Sequence, residues 1–246
     1  VAKVNDLGYE TLDNEKFPSS NSNHVGLEIE CFSTKHFDFS ETVAKAFIEN
    51  DLHYQCSVGE DGSINTLVNS KHATSCLIFL NGSCSCQKGS GAEVRVLMPQ
   101  SKITSTVAKV CSVLKSLGAQ VNDSCGLHVH IDIRNRNWKQ VAARLMKNQN
   151  KLWAVVKEER RASSHCRPIS SITSMGHYFC FDFSQVNKLG TIEVRMHHGT
   201  VDANEINSFI RMLLEIADGK EESLSTKLYR KRQAHKFEHP FIQKRG

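Results

Sequence analysis

Nowhere in the 246 residues do apolar side chains run together for the roughly 18 to 20 positions that a membrane span needs. The first residues also lack the apolar stretch of a secretory signal, so a soluble chain is expected. A disulfide framework is missing too. The nine cysteines are odd in number and irregularly scattered, which points to a reducing, cytoplasmic setting. Cys84-Ser85-Cys86 with Cys76 has no second Cys or His pair at finger-like spacing, which argues against zinc. The formal charge of +5 is not spread along the chain. The stretch from Lys220 to Gly246, with eight basic and three acidic residues, accounts for all of it. Residues 1–219 are therefore neutral and do not interleave basic with aromatic side chains, which argues against nucleic acid. No internal repeat is present.

What is there suits one large domain, since 39% apolar content over this length supports a hydrophobic core. The reading divides the chain into a loosely ordered lead-in (1–24), a catalytic domain (25–219) and a basic tail (220–246). The tail is read as a solvated appendage, with contact to a partner or polyanion as the alternative.

Periodicity places strands at Val25–Phe32, Cys76–Leu80, Ala92–Met98, Leu127–Ile133, His177–Phe183 and Thr191–His197. Helices are expected from Asp38 to about Asp51, from Ile103 to a stop at Gly118, from Asn137 to Glu159, and after a cap at Asp202 with Glu205. Arg160 to Met175 is expected to be a loop, and it or Gly82–Gly91 could close over a site. Strands and helices mix without strict alternation. The expected fold is α+β: a mostly antiparallel, curved sheet with helices packed on one face.

Successive side chains of a strand point to opposite faces, so each segment divides into two sides. In the central segments of four of the strands, Leu27–Glu30, Glu93–Val96, Leu127–Ile131 and Ile192–Met196, one side is apolar and the other carries only Glu, His or Arg. Glu28 and Glu30 pair on the first, Glu93 and Arg95 on the second, His128 and His130 on the third, and Glu193 and Arg195 on the fourth. An ordinary wet face would carry Thr, Ser and Lys, and no Lys stands at these eight positions. Four crowded Glu repel one another unless cations neutralise them, and divalent ions that prefer hard oxygen ligands are natural candidates. Two Arg beside them suit phosphate oxygens. Together these features predict a magnesium–nucleotide site.

In this order, the motifs resemble the amidoligase family, ATP-dependent carboxylate–amine ligases of the glutamine synthetase and glutamate–cysteine ligase fold. The resemblance is carried by Gly26-Leu27-Glu28-Ile29-Glu30, by Asp61-Gly62-Ser63-Ile64 with Glu93 and Met98-Pro99, by Cys125-Gly126-Leu127-His128-Val129-His130, and by Thr191-Ile192-Glu193-Val194-Arg195 with Gly199-Thr200. It implies that Glu28 and Glu30 ligate two different divalent ions, magnesium or manganese. Glu93 would join Glu30, and His128 with Glu193 would complete the other site. His130, and with it Glu28, would lie toward the ATP phosphates, and Arg195 beside the transferred phosphoryl group, so that Arg195, Glu193 and His130 carry the chemistry. The implied reaction phosphorylates a carboxylate with ATP and lets an amine attack the acyl phosphate, the partners being an amino acid, peptide or polyamine.

Arg95 departs from the family pattern, where a small polar residue is usual, and could recognise a further substrate carboxylate or pair with Glu93. Asp61 could bind metal or substrate or serve its turn, and His197 could touch substrate as the continuation of its strand or have a structural role. Arg167 is read as solvated, with contact to nucleotide or substrate as the alternative, and Cys125 as a small residue permitting close approach. Rival readings are a metal-dependent hydrolase on the same face and a scaffold protein that has lost its chemistry.

Overall fold

The computed structural model describes residues 23–36, 38–61, 63–64, 91–173, 176 and 178–238. The expected strand at Cys76–Leu80, the Cys76, Cys84 and Cys86 cluster, most of the lead-in and the last residues of the tail lie outside them. Strand β1 (His24–Phe32) leads into helix α1 (Phe39–Glu49), then β2 (Cys56–Glu60) and β3 (Gly91–Pro99). Helix α2 (Ile103–Ser116) connects β3 to β4 (Gly126–Asp132). The short helices α3 (Trp138–Lys147), α4 (Gln149–Trp153) and α5 (Glu158–Arg161) follow, with a 3₁₀ turn at Ser164–Cys166. The chain then forms β5 (Phe181–Asp182), α6 (Gln185–Lys188), β6 (Thr191–His198), α7 (Ala203–Asp218) and α8 (Leu224–Glu238).

The strands form one sheet in the order β2-β3-β1-β4-β6-β5, and every neighbouring pair is antiparallel. The α+β expectation holds. The apolar side of the sheet is one set of alternate residues: Val25, Leu27 and Ile29 on β1, Val94 and Val96 on β3, Leu127, Val129 and Ile131 on β4, Ile192 and Val194 on β6. They share a core cluster with Val43 and Phe47 of α1, Val107, Val110 and Leu114 of α2, and Ile206, Phe209, Ile210 and Leu213 of α7. Those helical residues recur at three- and four-residue spacing, so each helix gives one stripe to the same core. The opposite sides of the strands carry the polar groups, and at one end Phe32 packs with Ile64 and Cys125 in a small separate apolar cluster.

Local signals explain the element ends. Asp38 accepts a hydrogen bond from the Glu41 backbone N–H at the start of α1, and Asp202 accepts from Asn204 and Glu205 at the start of α7. After α2 the chain turns at Gly118, whose φ of 73° lies in the left-handed region.

Three expectations are corrected. The helix expected over Asn137–Glu159 is broken into three. Asn148 turns its side-chain amide back onto the Arg144 carbonyl, and Lys157 adopts an extended ψ of 149° before α5. In place of an extended strand over His177–Phe183, ladder pairing among the described residues covers Phe181–Asp182; His177 lies outside them. The basic segment is not a free appendage over its described part. It forms α8, with Thr226 and Gln233 buried and Tyr229 packed in the core cluster. Charge count alone could not reveal this, because three polar or amphipathic side chains hold the helix down. Among the described residues no helix is long and apolar enough to cross a membrane.

Candidate metal and phosphate site

Sheet register brings the four polar half-strands together. Glu28 stands opposite His128 on β4 and opposite Arg95 on β3, Glu30 opposite Glu93, and His130 opposite Glu193. All eight expected side chains thus occupy four adjacent strands. His130 fits because its neighbour on β1 is Gly26, where a Cβ would lie 3.1 Å from the His130 Cβ.

Two groups of possible ligands form. Glu28, His130 and Glu193 offer atoms within 4.8 Å of one another, and so do Glu30, Asp61 and Glu93. His128 lies between them, its Nδ1 2.8 Å from Glu28 and 3.6 Å from Glu193, and its Nε2 3.5 Å from Glu30. One detail differs from the family-based expectation. The imidazole grouped with Glu28 and Glu193 is that of His130, with His128 bridging to Glu30. Asp61 belongs with Glu30 and Glu93 while one of its oxygens accepts from Ser63 N–H and Oγ–H, so turn and cluster are served by the same side chain.

The electrostatics show what this arrangement lacks. Burial raises the Glu28 carboxyl, but hydrogen bonds from His128 and His130 override it and hold Glu28 far below the usual carboxylate range. Burial lowers His130, yet its bond to Glu28 and the nearby Glu193 charge leave it raised. Glu93 is raised by burial and by the Glu28 charge, which Arg95 only partly offsets. Glu30 and Glu93 face each other directly across the ladder, the arrangement that disfavours like charges.

Arg95 lies 2.5 Å from Glu93, so of its two expected roles the pairing is the one present. Arg195 likewise pairs with Glu193. The His128 Nε2 is buried and makes no hydrogen bond among the described residues. With Nδ1–H donated to Glu28, that nitrogen presents a lone pair to no donor. Crowded oxygens and an unused imidazole lone pair, its other nitrogen fixed by a carboxylate, are what a divalent cation would satisfy.

A second His/Glu group has the opposite character. Between Val129 and Leu127 the β4–β6 register shifts, so that His197 pairs opposite the core residue Leu127. This bulge takes His197 out of phase with Glu193 and Arg195. His197 is fully buried, its ring 4.4 Å from Phe209, so the expected continuation of the polar face stops at Arg195.

Every polar atom of the group has a role. His197 Nδ1–H donates to the His198 carbonyl at 2.7 Å and Nε2 accepts from the Tyr229 hydroxyl at 3.4 Å. Lys157 N–H donates to His198 Nδ1, leaving Nε2–H for Glu205, which also receives Thr200 Oγ–H and Gln233 N–H. Burial pushes His197 down to about 3. Although burial raises Glu205, its bond from His198 and the neighbouring imidazoles bring it to about 2.

The six described cysteines are all buried thiols, and Cys125, pushed up to about 11 by burial, is no nucleophile. Arg167 packs on Phe179, 4.9 Å from the ring centroid, and its backbone pairs with that of Phe179. One buried cation was missed by sequence reading. Arg160, expected to open a loop, is 7% exposed and donates to the Arg195 carbonyl.

A family model described as "Putative amidoligase enzyme" matches residues 21–173. A search of curated proteins finds no match.

Proposed function

Because the chain belongs to the amidoligase family, we propose that it is an ATP- and magnesium-dependent carboxylate–amine ligase working through an acyl phosphate. The observation that carries this reading is the pair of acidic clusters, Glu28–His130–Glu193 and Glu30–Asp61–Glu93, with a guanidinium beside each on one sheet face. Magnesium or manganese bound there would neutralise polyphosphate oxygens and lower the cost of bringing an anionic acid to ATP.

The chain's own residues do the rest. Glu28, Glu193 and Glu30, Glu93 with Asp61 would hold the two cations, and His128 would lie between them with its tautomer fixed by Glu28. Arg195 and Arg95 each hold the glutamate two residues earlier on the same strand. With Glu193 and Glu93 committed to cation binding, Arg195 and Arg95 would be free for oxygens that gain charge during transfer. His130, backed by Thr191 and bonded to Glu28, would orient toward the nucleotide phosphates.

A substrate carboxylate oxygen bonds to the γ-phosphorus while the bond to ADP breaks. The amine nitrogen then bonds to the acyl carbon, phosphate leaves with the C–O electron pair, and the proton shed by nitrogen leaves on the phosphate. Amino acids, short peptides and polyamines are the substrate classes to screen. ADP and phosphate release that requires both an acid and an amine, with a product lighter than their sum by one water, would support the reading. Turnover of an amide without nucleotide would replace it with hydrolysis.

A further inference from the structure

The two arginines of the polar face are alike in sequence and differ in the sheet. Each pairs with the glutamate two residues before it, Arg95 with Glu93 and Arg195 with Glu193. Arg95 lies in unbroken ladder, opposite Glu28 on one side and Ser57 on the other. Arg195 lies in the irregularity of β6, where pairing with β4 passes from Val129–Val194 to Leu127–His197 and skips Arg195 and Met196. The extra residue of a bulge has no rung partner, and the bulge re-aims the side chains it carries. The direction of the Arg195 side chain therefore depends on what holds its backbone from outside the β4–β6 pairing.

Helix α5 supplies that hold. Arg160 is buried, and its Nη2 donates to the Arg195 carbonyl at 2.9 Å, a bond strengthened by the charge of the donor. At the start of the helix the Lys157 N–H donates to His198 Nδ1 at 3.4 Å. Residues three apart in the helical segment thus grip residues three apart on the strand, on either side of Met196. The Arg195 N–H donates to the Cys180 carbonyl at 2.9 Å, so partners other than β4 serve both backbone polar groups of Arg195. Arg160 is itself fixed, its carbonyl receiving the Ser163 N–H at 3.2 Å and the Cys166 thiol at 3.0 Å. Gly126 makes the reach possible. A Cβ there would lie 2.5 Å from Arg160 Nη2 and 3.0 Å from His128 Nε2, so a side chain at 126 would displace the guanidinium from the strand.

We propose that Arg160 is a positioning residue: by holding the Arg195 carbonyl it fixes the bulge of β6 and aims the Arg195 guanidinium across the polar face. Without that donor the bulge can relax toward other pairings, and a slip of one residue would turn Arg195 toward the opposite side of the sheet. The consequence for phosphoryl transfer rests on the proposed function above; the clamp on the bulge does not.

The test uses the full chain labelled with ¹⁵N-arginine and follows the Nε–H resonances of Arg195 and Arg95, assigned by their loss in Arg195→Lys and Arg95→Lys. In Arg160→Met, which removes the donor and keeps an unbranched stem, the Arg195 resonance is expected to shift or broaden while that of Arg95 stays in place. Gly126→Ala, which displaces the guanidinium and leaves Arg160 in the chain, should give the same selective response, and Arg160→Lys, which keeps a charged donor, should restore part of the wild-type position. In steady-state assays kcat for ADP formation should fall about 10²-fold in Arg160→Met and less in Arg160→Lys, with KM for MgATP within about three-fold of the wild type, as expected for a group that acts in the transition state. An unmoved Arg195 resonance, equal disturbance of Arg95 and Arg195, or an unchanged kcat in Arg160→Met overturns the proposal. If the wild type turns over no ATP with any acid and amine, the ligase reading falls, while a selective response of Arg195 leaves the clamp standing.

Discussion

Two His/Glu groups lie on or next to strand β6, and they teach opposite lessons about what makes a site. Around His197, His198 and Glu205, each imidazole nitrogen has one partner and Glu205 accepts three hydrogen bonds. The group satisfies itself and ties α8 to the strand through Tyr229 and Gln233. Around Glu28, Glu30, Glu93, His128 and Glu193 the count fails. Carboxylates face one another, and His128 keeps a buried nitrogen with no hydrogen bond among the described residues. The closed group and each of the two acidic clusters, Glu28–His130–Glu193 and Glu30–Asp61–Glu93, bring ligand atoms within 4.8 Å. What separates them is unmet bonding capacity, because a buried polar atom left unpaired carries a desolvation penalty that a ligand can relieve.

The sharpest way to break this contrast is by activity. Glu28→Gln and Glu193→Gln remove charge with little change of shape, so magnesium-dependent ADP formation is expected to fall at least about 10³-fold. Glu205→Gln in the closed group should cost under about ten-fold. Steady-state assays of the three variants decide the matter. Equal losses would mean that the closed group is part of the chemistry.

Metal linkage comes next in size. At a hundred times its dissociation constant, a cation that binds only the folded chain adds about 2.7 kcal/mol. Magnesium or manganese should therefore raise the unfolding midpoint of the wild type, EDTA should reverse it, and Glu30→Gln combined with Glu193→Gln, one ligand from each cluster, should abolish most of the increment. Glu205→Gln should keep it. A thermal shift that survives in the double variant would place the cations elsewhere.

The contrast was half legible in the sequence. Alternation along Leu27–Glu30 or Leu127–Ile131 needs only the period of a strand, and the same period that points Leu27 inward points Glu28 outward. What alternation cannot supply is phase across an irregularity. His197 continues the pattern on paper, yet the extra residue of the bulge pairs it opposite Leu127 and gives it to the closed group. Nor can periodicity locate Arg160, which arrives from a short helix distant in sequence. Its one sequence trace is Gly126, a sign of close approach that does not say what approaches. Helix α8 was hidden for a related reason. Its anchors, Thr226, Tyr229 and Gln233, are spaced for a helix but are not the aliphatic residues that usually mark a buried stripe.

Acid should separate the two groups by sign. His197 titrates at about 3 in the folded chain against an ordinary 6.5, so the unfolded state takes up its proton first. Its contribution is complete above about pH 6.5 and is lost as pH falls toward 3. Glu205, lowered to about 2 from 4.5, acts in the same direction below pH 4.5. At pH 5 the histidine alone should cost about 2 kcal/mol, at roughly 1.4 kcal/mol per pH unit below 6.5. Glu93, raised above 4.5, has the opposite sign: its crowding is relieved by protonation and returns as pH rises. Denaturant midpoints from pH 7.5 to 4.5 should fall in the wild type and flatten in His197→Phe; in Glu93→Gln, by contrast, the fall should become steeper. The same slope in all three would show that neither group governs acid stability.

The smallest expected effect tests whether the closed group is mechanically separate from the open one. Asp202 caps α7 through the Asn204 and Glu205 N–H groups, at 2.8 and 3.2 Å, and Glu205 is the acceptor at the centre of the closed network. Asp202→Ala removes both bonds and should cost about 1 kcal/mol of stability, the usual value of an N-cap. Loosening the first turn of α7 slackens Glu205 and, through Gln233, the seat of α8. Glu28, Glu30 and Glu93 sit on strands whose register does not involve that turn. The increment in midpoint on adding magnesium should therefore be the same in Asp202→Ala as in the wild type, even though both midpoints are lower. A smaller increment in the variant would mean that the closed network transmits strain along β6 to Glu193, making the two groups one mechanical unit.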